Sequence, residues 1–243
     1  MKVSPLSAKK TSLHILKLNC SILEQLQLEE ALLRADDRNW CLINYGTKPA
    51  IIMGISGKKE LLVNSAKILH APVPLIRRFS GGGTVFVDEN TFFITWICNS
   101  HCSAVECSPD QVHQWIKFFF QAALPALNIQ LRENDYVIND RKFGGNAQYL
   151  RKQRWLHHSS LLWDYDSKNM EYLLMPPKMP HYRQQRPHDN FLCRLKDFLV
   201  SKAEFEGAIF NSLHHFFEVK TTHFDEVKGL LKSDHRKATQ IIY

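Results

Sequence analysis

The segment Arg77-Arg78-Phe79-Ser80-Gly81-Gly82-Gly83-Thr84 makes the strongest local demand on this chain. An ordered glycine gives up more backbone freedom than any other residue, roughly 0.5–1 kcal/mol relative to alanine in a regular element. Three of the chain's ten glycines fall here in succession. They open directly into Val85-Phe86-Val87, a β-branched and aromatic run, so a flexible linker is excluded. Backbone without Cβ lets N–H groups come close to an anion or a narrow ligand. The two preceding arginines carry forked donors suited to phosphate or carboxylate. Neither GxxxxGK[ST] nor GxGxxG is present, which excludes P-loop and dinucleotide fingerprints. For this segment alone, a tight turn with surface arginines remains the alternative.

The rest of the pattern predicts a mixed fold. Ser21 to Arg34 reads as a helix, with Leu23, Leu26, Ala31 and Leu33 toward a core and Glu29 and Glu30 toward solvent. Trp40 to Tyr45 and Ala50 to Gly54 read as strands across a turn at Gly46 to Pro49. Thr84 to Val87 and Thr91 to Cys98 read as strands joined by a hairpin turn at Asp88-Glu89-Asn90. Ser108-Pro109 starts a helix carrying Val112, Trp115, Ile116, Phe119 and Ala123. Asn139-Asp140 is a second hairpin turn, between Tyr136 to Ile138 and Arg141 to Phe143. Trp155 to Trp163 is a strand, and Phe205, Ile209, Leu213 and Phe216 line a later helix. Met175 to Asn190, with four prolines, is an irregular connection, either a boundary or a loop lying across a site. Hairpins outnumber βαβ patterns, so the expected class is α+β, a mixed, largely antiparallel sheet flanked by helices.

Composition narrows the function classes. The chain has 243 residues, 44% apolar and 23% charged, which excludes disordered and fibrous classes and suits one large domain. The longest apolar run, Phe92 to Cys98, is strand-length against the roughly 18–20 residues of a membrane span. The start, Met1 to Lys10, lacks the apolar core of a secretory signal. Six cysteines suit a reduced, cytoplasmic setting rather than a disulfide scaffold. Lysine plus arginine number 31 against 24 acidic residues, a net +7. That surplus suits a polyanion or simple solubility; with no recognised motif, neither nucleic acid nor membrane is an expected partner. Cys98, His101, Cys102 and Cys107 have ligand chemistry but lack paired C-x2-C spacing, so no zinc centre is expected.

Two further segments carry chemistry. Asn134-Asp135 precedes Asp140-Arg141-Lys142-Phe143-Gly144-Gly145-Asn146-Ala147-Gln148. Lys142, next to bare backbone, is placed to stabilise charge on a carboxyl–phosphate transition state. Asn134 and Asp135 have oxygens for Mg²⁺ or for orienting phosphate. A hairpin with solvated charges is the alternative. In His157-His158-Ser159-Ser160, strand alternation allows only one histidine to face a given pocket.

Taken together and in this order, these segments resemble the lipoate-protein ligase A family, within the biotin/lipoyl ligase superfamily. The family pattern R-R-x-S-G-G-G-x-V-x-x-D matches Arg77 to Asp88. Its N-D, D-x-K-x-x-G-x-A-Q and H-H-G segments match Asn134-Asp135, Asp140 to Gln148 and His157-His158, with Ser159 in place of glycine. The resemblance implies a class II aminoacyl-tRNA synthetase/biotin-ligase-like catalytic domain. It further implies ATP, Mg²⁺ and lipoate as ligands, a lipoyl-adenylate intermediate, and transfer to a lysine of an acceptor domain. The implied acceptors are 2-oxoacid dehydrogenase E2 lipoyl domains and the glycine cleavage H protein. Lys142 would contact the lipoate carboxylate and α-phosphate. Arg78, Gly83, Thr84, Val85, Phe86, Asn134 and Asp135 would bind nucleotide, with Asp135 a candidate Mg²⁺ ligand. Ser80, Gly81, Gly82, Gly145, Asn146 and His158 would border the lipoyl group.

Departures refine the expectation. Ile55-Ser56-Gly57 stands where many relatives carry G-R-x-Q-N, removing two polar side chains. Ser159 is expected to narrow the acyl tunnel or shift the strand. Residues 1–243 are expected to form one catalytic domain, with a core over about 12–197 and a short helical extension over 198–243. One helix and a tail cannot build an independent core, so a separate accessory-domain protein is an implied partner. Tyr149 to Leu156 holds no cysteine, which disfavours a thioester route. The alternatives are an octanoyl or lipoyl transferase working without ATP, and a catalytically weakened lipoate-binding module.

Overall fold

The computed structural model describes residues 10–100, 102 and 107–243. Residues 1–9 and His101 of the cysteine group lie outside the described residues. The strands are β1 (Ser12–Leu18), β2 (Trp40–Tyr45), β3 (Ala50–Met53), β4 (Leu75–Arg77), β5 (Val85–Val87), β6 (Thr91–Asn99), β7 (Ile129–Arg132), β8 (Asp135–Ile138), β9 (Arg141–Arg151), β10 (Arg154–Leu162), β11 (Glu218–Thr221) and β12 (Gln240–Ile241). The helices are α1 (Ile22–Ala35), α2 (Lys59–Leu62), α3 (Ser65–His70), α4 (Pro109–Ala123), α5 (Ser167–Met170), α6 (His188–Phe191), α7 (Lys202–Phe216) and α8 (Phe224–Val227). No described helix is long and apolar enough to cross a membrane.

The strands form two sheets. The larger runs β11-β1-β2-β6-β10-β9-β8-β7 and the smaller β12-β4-β3-β5. Pairing in the large sheet is antiparallel except where β1 meets β2 and β11. The class is therefore α+β, mixed and largely antiparallel, as the hairpin pattern predicts. The Asn139-Asp140 turn joins β8 to β9, and both residues adopt the left-handed region, at φ 48° and 67°. Short polar side chains tolerate that region, and it matches the strand twist.

Alternation along β6 and β10 sends apolar residues to both faces. On one face Phe92, Ile94, Trp96, Trp155 and Leu161 pack under Ile116 and Phe119 of α4 and Phe205, Ile209 and Leu213 of α7. On the other, Ile97 and Leu156 meet Leu28, Leu32 and Leu33 of α1. The N-terminal part of α1, through Ile22 and Leu26, packs on Ala50, Ile52, Ile76 and Val87 of the small sheet. Helix α1 is thus a wedge between the two sheets. Its start is fixed by a capping box, in which Ser21 accepts from Glu24 N and Glu24 accepts from Ser21 N.

Three expectations change. Glu29 and Glu30, expected in solvent, are buried at 0% and 1% exposure. A helix packed between two sheets has no wet face at these positions, and both carboxylates have partners. Glu30 binds Arg34 at 3.1 Å and accepts from Ala238 N and Thr239 N at 3.0 Å. Asp88-Glu89-Asn90 is not a hairpin turn. β5 pairs with β3 and β6 with β2 and β10, so this corner passes the chain from the small sheet to the large one. Asp88 shapes the corner by accepting from Asn90 N at 2.9 Å and Thr91 N at 3.1 Å.

The third concerns residues 198–243, which are more than helical. β11 extends the large sheet beside β1, and β12 pairs with β4. These pairings connect positions far apart in sequence, which local periodicity does not report.

Removing the Glu30 carboxylate leaves two tail N–H groups and Arg34 without their acceptor. Glu30→Ala is expected to lower stability by about 1–3 kcal/mol in urea titrations. It should also render the Ala238–Tyr243 segment sensitive to limited proteolysis.

Candidate functional site

The glycine segment lies between β4 and β5, and its shape is held from inside. The Arg78 side chain is buried, its Nε and Nη2 donating to Gly81 O at 3.1 and 2.8 Å and Nη2 to Gly83 O at 3.0 Å. Burial lowers the Arg78 pKa to about 10, which leaves it charged at neutral pH. Gly82 has φ +105°, and a Cβ there would lie 2.6 Å from Arg78 Nη2. A Cβ on Gly54, at the end of β3, would meet Gly82 O at 2.3 Å. A side chain at either position breaks the loop. Nothing lies within 4 Å of a Cβ built on Gly81 or Gly83, so that backbone is open to a ligand.

Lys142 reaches the same region through a β-bulge. Tyr136 pairs with Gly144 while Val137 pairs with Lys142, which makes Phe143 the extra residue in β9. Phe143 packs in the large core, and a Cβ on Gly144 would meet Leu161 Cδ2 at 2.7 Å. Two successive residues therefore face the core, and Lys142 and Gly145 share the opposite face. Lys142 Nζ lies 3.4 Å from where a Gly145 Cβ would be and 2.7 Å from Asp135 Oδ1. The other oxygen, Oδ2, accepts from Tyr182 Oη at 2.9 Å.

A cleft opens here. Thr84, Val85 and Phe86 form one side, Gly145 and Ser160 the floor, and Leu162, Met170, Leu173, Phe191 and Leu192 an apolar wall. Its basic residues are Lys142, Arg183 and His188. Arg183 is 5% exposed, and its Nη2 is buried without a hydrogen-bond partner. Burial, then Arg183 and to a lesser degree Lys142, depress the His188 pKa, so its ring is neutral at pH 7. Apolar walls beside cations and bare backbone suit a ligand with a greasy body and an anionic end.

The expected site residues divide into groups. Thr84, Val85, Phe86, Lys142 and Gly145 line the cleft, and Asp135 touches it through Lys142. Arg78 does not present its guanidinium to the cleft, because the loop's own carbonyls engage it. Arg77 also turns away, its Nη2 3.5 Å from Gly57 O. The second cation beside Lys142 comes instead from the proline-rich segment, through Arg183, with the neutral His188 next to it. The sequence signal for them was charged residues punctuating a segment that lies across a site.

Ser80 is buried behind the loop, its carbonyl accepting from Ile55 N at 3.0 Å. Asn134 is exposed and accepts through its carbonyl from Asn146 Nδ2. The Asn146 side chain faces away from the cleft, with Oδ1 2.8 Å from His113 Nε2 on α4. Ser159 shares that far face and cannot narrow the cleft; strand alternation puts it opposite His158 and Ser160.

His158 lies on the cleft's face, buried beside α1. Its Nδ1 is 2.8 Å from Glu29 Oε1, which also accepts from Thr95 Oγ1 at 2.7 Å and Gln25 Nε2 at 2.9 Å. Sequence reasoning missed Glu29 because a glutamate between helical positions reads as solvated. His157, on the far face, is fully buried between Tyr136 Oη at 3.1 Å and Gln148 Nε2 at 3.0 Å. Burial, then His113 and His158, hold its pKa well below 6.5.

The residues present do not build a cage for a divalent cation. Among the described residues no three His, Cys, Asp or Glu side chains converge. Both Asp135 oxygens are engaged, by Lys142 and Tyr182.

Comparison with known proteins adds four findings. Residues 21–216 match the lipoyl protein ligase A/B catalytic domain. The chain is 27% identical over 235 residues to the inactive lipoate–protein ligase 2 of Plasmodium falciparum, covering 72% of this chain and 61% of that relative. The chain thus spans less than two thirds of that relative's length. In fold it is similar to a lipoate-protein ligase A bound with ATP, with TM-score 0.75 and 17% identity over 92% of this chain and 93% of that one. It is also similar in fold to the bipartite lipoate protein ligase of Thermoplasma acidophilum, with TM-score 0.74 and 18% identity over 93% and 91%.

The buried histidine sets a pH dependence. A folded pKa below the unfolded value of 6.5 means the native state binds fewer protons. Stability is then complete above 6.5 and falls as pH drops through 6.5 toward the depressed value, by up to about 1.4 kcal/mol per pH unit for one group. His113 and His188, also depressed, act in the same direction. Denaturant titrations at about pH 7.5 and 5.5 should show this loss, and His157→Gln should reduce it by about 1 kcal/mol.

Proposed function

The chain belongs to the lipoyl protein ligase A/B catalytic-domain family, and on that basis we propose that it activates lipoate with ATP and transfers the lipoyl group to a lysine of an acceptor domain. The observation that carries this reading is Lys142, turned by the bulge to face an apolar cleft beside the open glycine backbone. In the first step a carboxylate oxygen of lipoate attacks the α-phosphorus and pyrophosphate leaves. Charge grows on the phosphoryl oxygens in that transition state. The Lys142 ammonium and the Arg183 guanidinium, whose Nη2 has no hydrogen-bond partner, are fixed at the cleft, where preorganised cations are most effective. The open backbone at Gly83 accommodates nucleotide against Thr84, Val85 and Phe86, and the apolar wall takes the acyl chain. In the second step the acceptor lysine, as free amine, attacks the acyl carbon and AMP leaves. Lys142 and Arg183 then stabilise the departing phosphate.

Mg²⁺ would neutralise the triphosphate and arrive with ATP rather than sit in a protein cage, and no step here is routed through it. The acceptors we propose are E2 lipoyl domains and the glycine cleavage H protein, and a separate accessory-domain protein is a further proposed partner. The relative of known fold from Thermoplasma is described as a bipartite ligase with its E2 lipoyl domain, which supports both proposals by analogy. A thioester route has little support. Cys193 donates its N–H to Lys142 O at 2.9 Å, but its thiol is buried and burial raises its pKa to about 11.

A second reading, a lipoate-binding module without turnover, is favoured by the ion pair between Lys142 and Asp135. It also gains support from the inactive ligase among its relatives. One assay separates the readings. The protein is mixed with lipoate, Mg-ATP and apo-acceptor, with and without a supplied accessory domain, and again with synthetic lipoyl-adenylate. A lipoyl mass shift with ATP supports the ligase; a shift only with adenylate makes it a transferase; no shift with either refutes both. In a ligase, Lys142→Ala should cut pyrophosphate release by roughly 100-fold or more without loss of fold by circular dichroism.

A further inference from the structure

The proline-rich segment crosses the cleft and carries Arg183, one of its two cations, yet its backbone is not relaxed. Gln184 and Gln185 are successive non-glycine residues in the left-handed region, at φ 50° and 58°. Such a pair persists only where surrounding contacts over-determine it. Some of those contacts are internal, with Arg183 Nε donating to Arg186 O at 3.0 Å and Arg186 Nε to Arg183 O at 3.1 Å. Arg186 also anchors the segment, its Nη2 donating to Asp140 O at 3.2 Å, and Tyr182 supplies the hold beside Lys142. Its N–H donates to Glu133 Oε1 at 3.3 Å, its ring lies 5.3 Å from that of Phe191, and its hydroxyl donates to Asp135 Oδ2 at 2.9 Å. Burial, then the Asp135 charge, raise the Tyr182 pKa, so the hydroxyl keeps the proton that it donates to the carboxylate.

We propose that Tyr182 is a positioning residue whose hydroxyl latches the segment to Asp135 and so holds Arg183 across the cleft from Lys142 as a preformed cradle for a phosphate-bearing ligand. The inference rests on the reading of the cleft given above. The shared carboxylate gives the latch a second effect. Asp135 is bound by Lys142 through one oxygen and by Tyr182 through the other. When an anion draws Lys142 away, the carboxylate keeps a hydrogen bond and is not left buried alone, which lowers the cost of releasing the lysine.

The test uses the full chain with Tyr182→Phe, which keeps the ring and removes only the hydroxyl. Hydrogen–deuterium exchange of amides in the 184–192 stretch should speed up about tenfold, the effect of one hydrogen bond to a charged group, while the β6 and β10 amides stay protected. Calorimetry with ATP and with inorganic pyrophosphate should show Kd rising about tenfold for both. With turnover, kcat/KM for ATP should fall by at least the same factor while KM for lipoate stays within about twofold.

In an Asp135→Ala background, where no acceptor remains, Tyr182→Phe should add no further effect on exchange. Exchange within twofold of the parent, additive effects in the double variant, or unchanged Kd for both anions would each overturn the latch. If the parent protein binds neither anion, the ligase reading and the cradle fail together, while the exchange arm still decides whether Tyr182 holds the segment.

Discussion

A carboxylate taken out of water is costly unless donors meet it, and α1 buries two in succession. Neighbouring positions on a helix point about 100° apart, so Glu29 and Glu30 look toward different parts of the molecule. Glu29 gathers Gln25, Thr95 and His158, which ties the helix to β6 and β10. Glu30 gathers Arg34 and the backbone of Ala238 and Thr239. That second group reaches the small sheet, because β12 pairs with β4 and Thr239 Oγ1 accepts from Phe79 N at 3.3 Å. One helix thus sets the spacing of the sheet that carries Lys142 and the sheet that carries the glycine loop. The cleft is the space that remains between them.

Within that frame the site depends on removing side chains as much as on supplying them. Gly54 admits the carbonyl of Gly82, Gly82 admits the Arg78 guanidinium, and Gly144 admits Leu161. Arg78 then works as an internal brace for the loop, so the open backbone of Gly81 and Gly83 keeps a defined shape with no ligand bound. The cleft's charge comes from a different stretch of chain. Lys142 is already paired with Asp135, and Arg183 waits with an unpartnered Nη2. An incoming anion meets one cation to recruit and another already free of protein acceptors at that atom.

Much of this was legible before the fold was known. The class, the helix starts at Ser21 and Ser108, the Asn139-Asp140 hairpin and the order of the chemical segments all follow from local patterns. Those patterns report what a residue and its near neighbours can do. They failed where partners are distant. Glu29 and Glu30 looked solvated because their partners lie at Thr95, His158 and Thr239. Asp88-Glu89-Asn90 looked like a hairpin because a local turn does not reveal that its two strands join different sheets. Arg77 and Arg78 looked like phosphate ligands because their chemistry suits phosphate, yet strand direction and the loop's own carbonyls engage them elsewhere.

The sequence established the chemical parts: bare backbone opening into a strand, a lysine ahead of paired glycines, and two adjacent histidines of which only one could face a pocket. It could not assign faces, because one extra residue in a strand inverts every assignment beyond it. The bulge at Phe143 is that residue, and it exists only against the register of β8. Which histidine meets α1, which cations meet Lys142 and which carboxylates are buried were decided when the two sheets closed on one helix, since burial is a property of the packed whole.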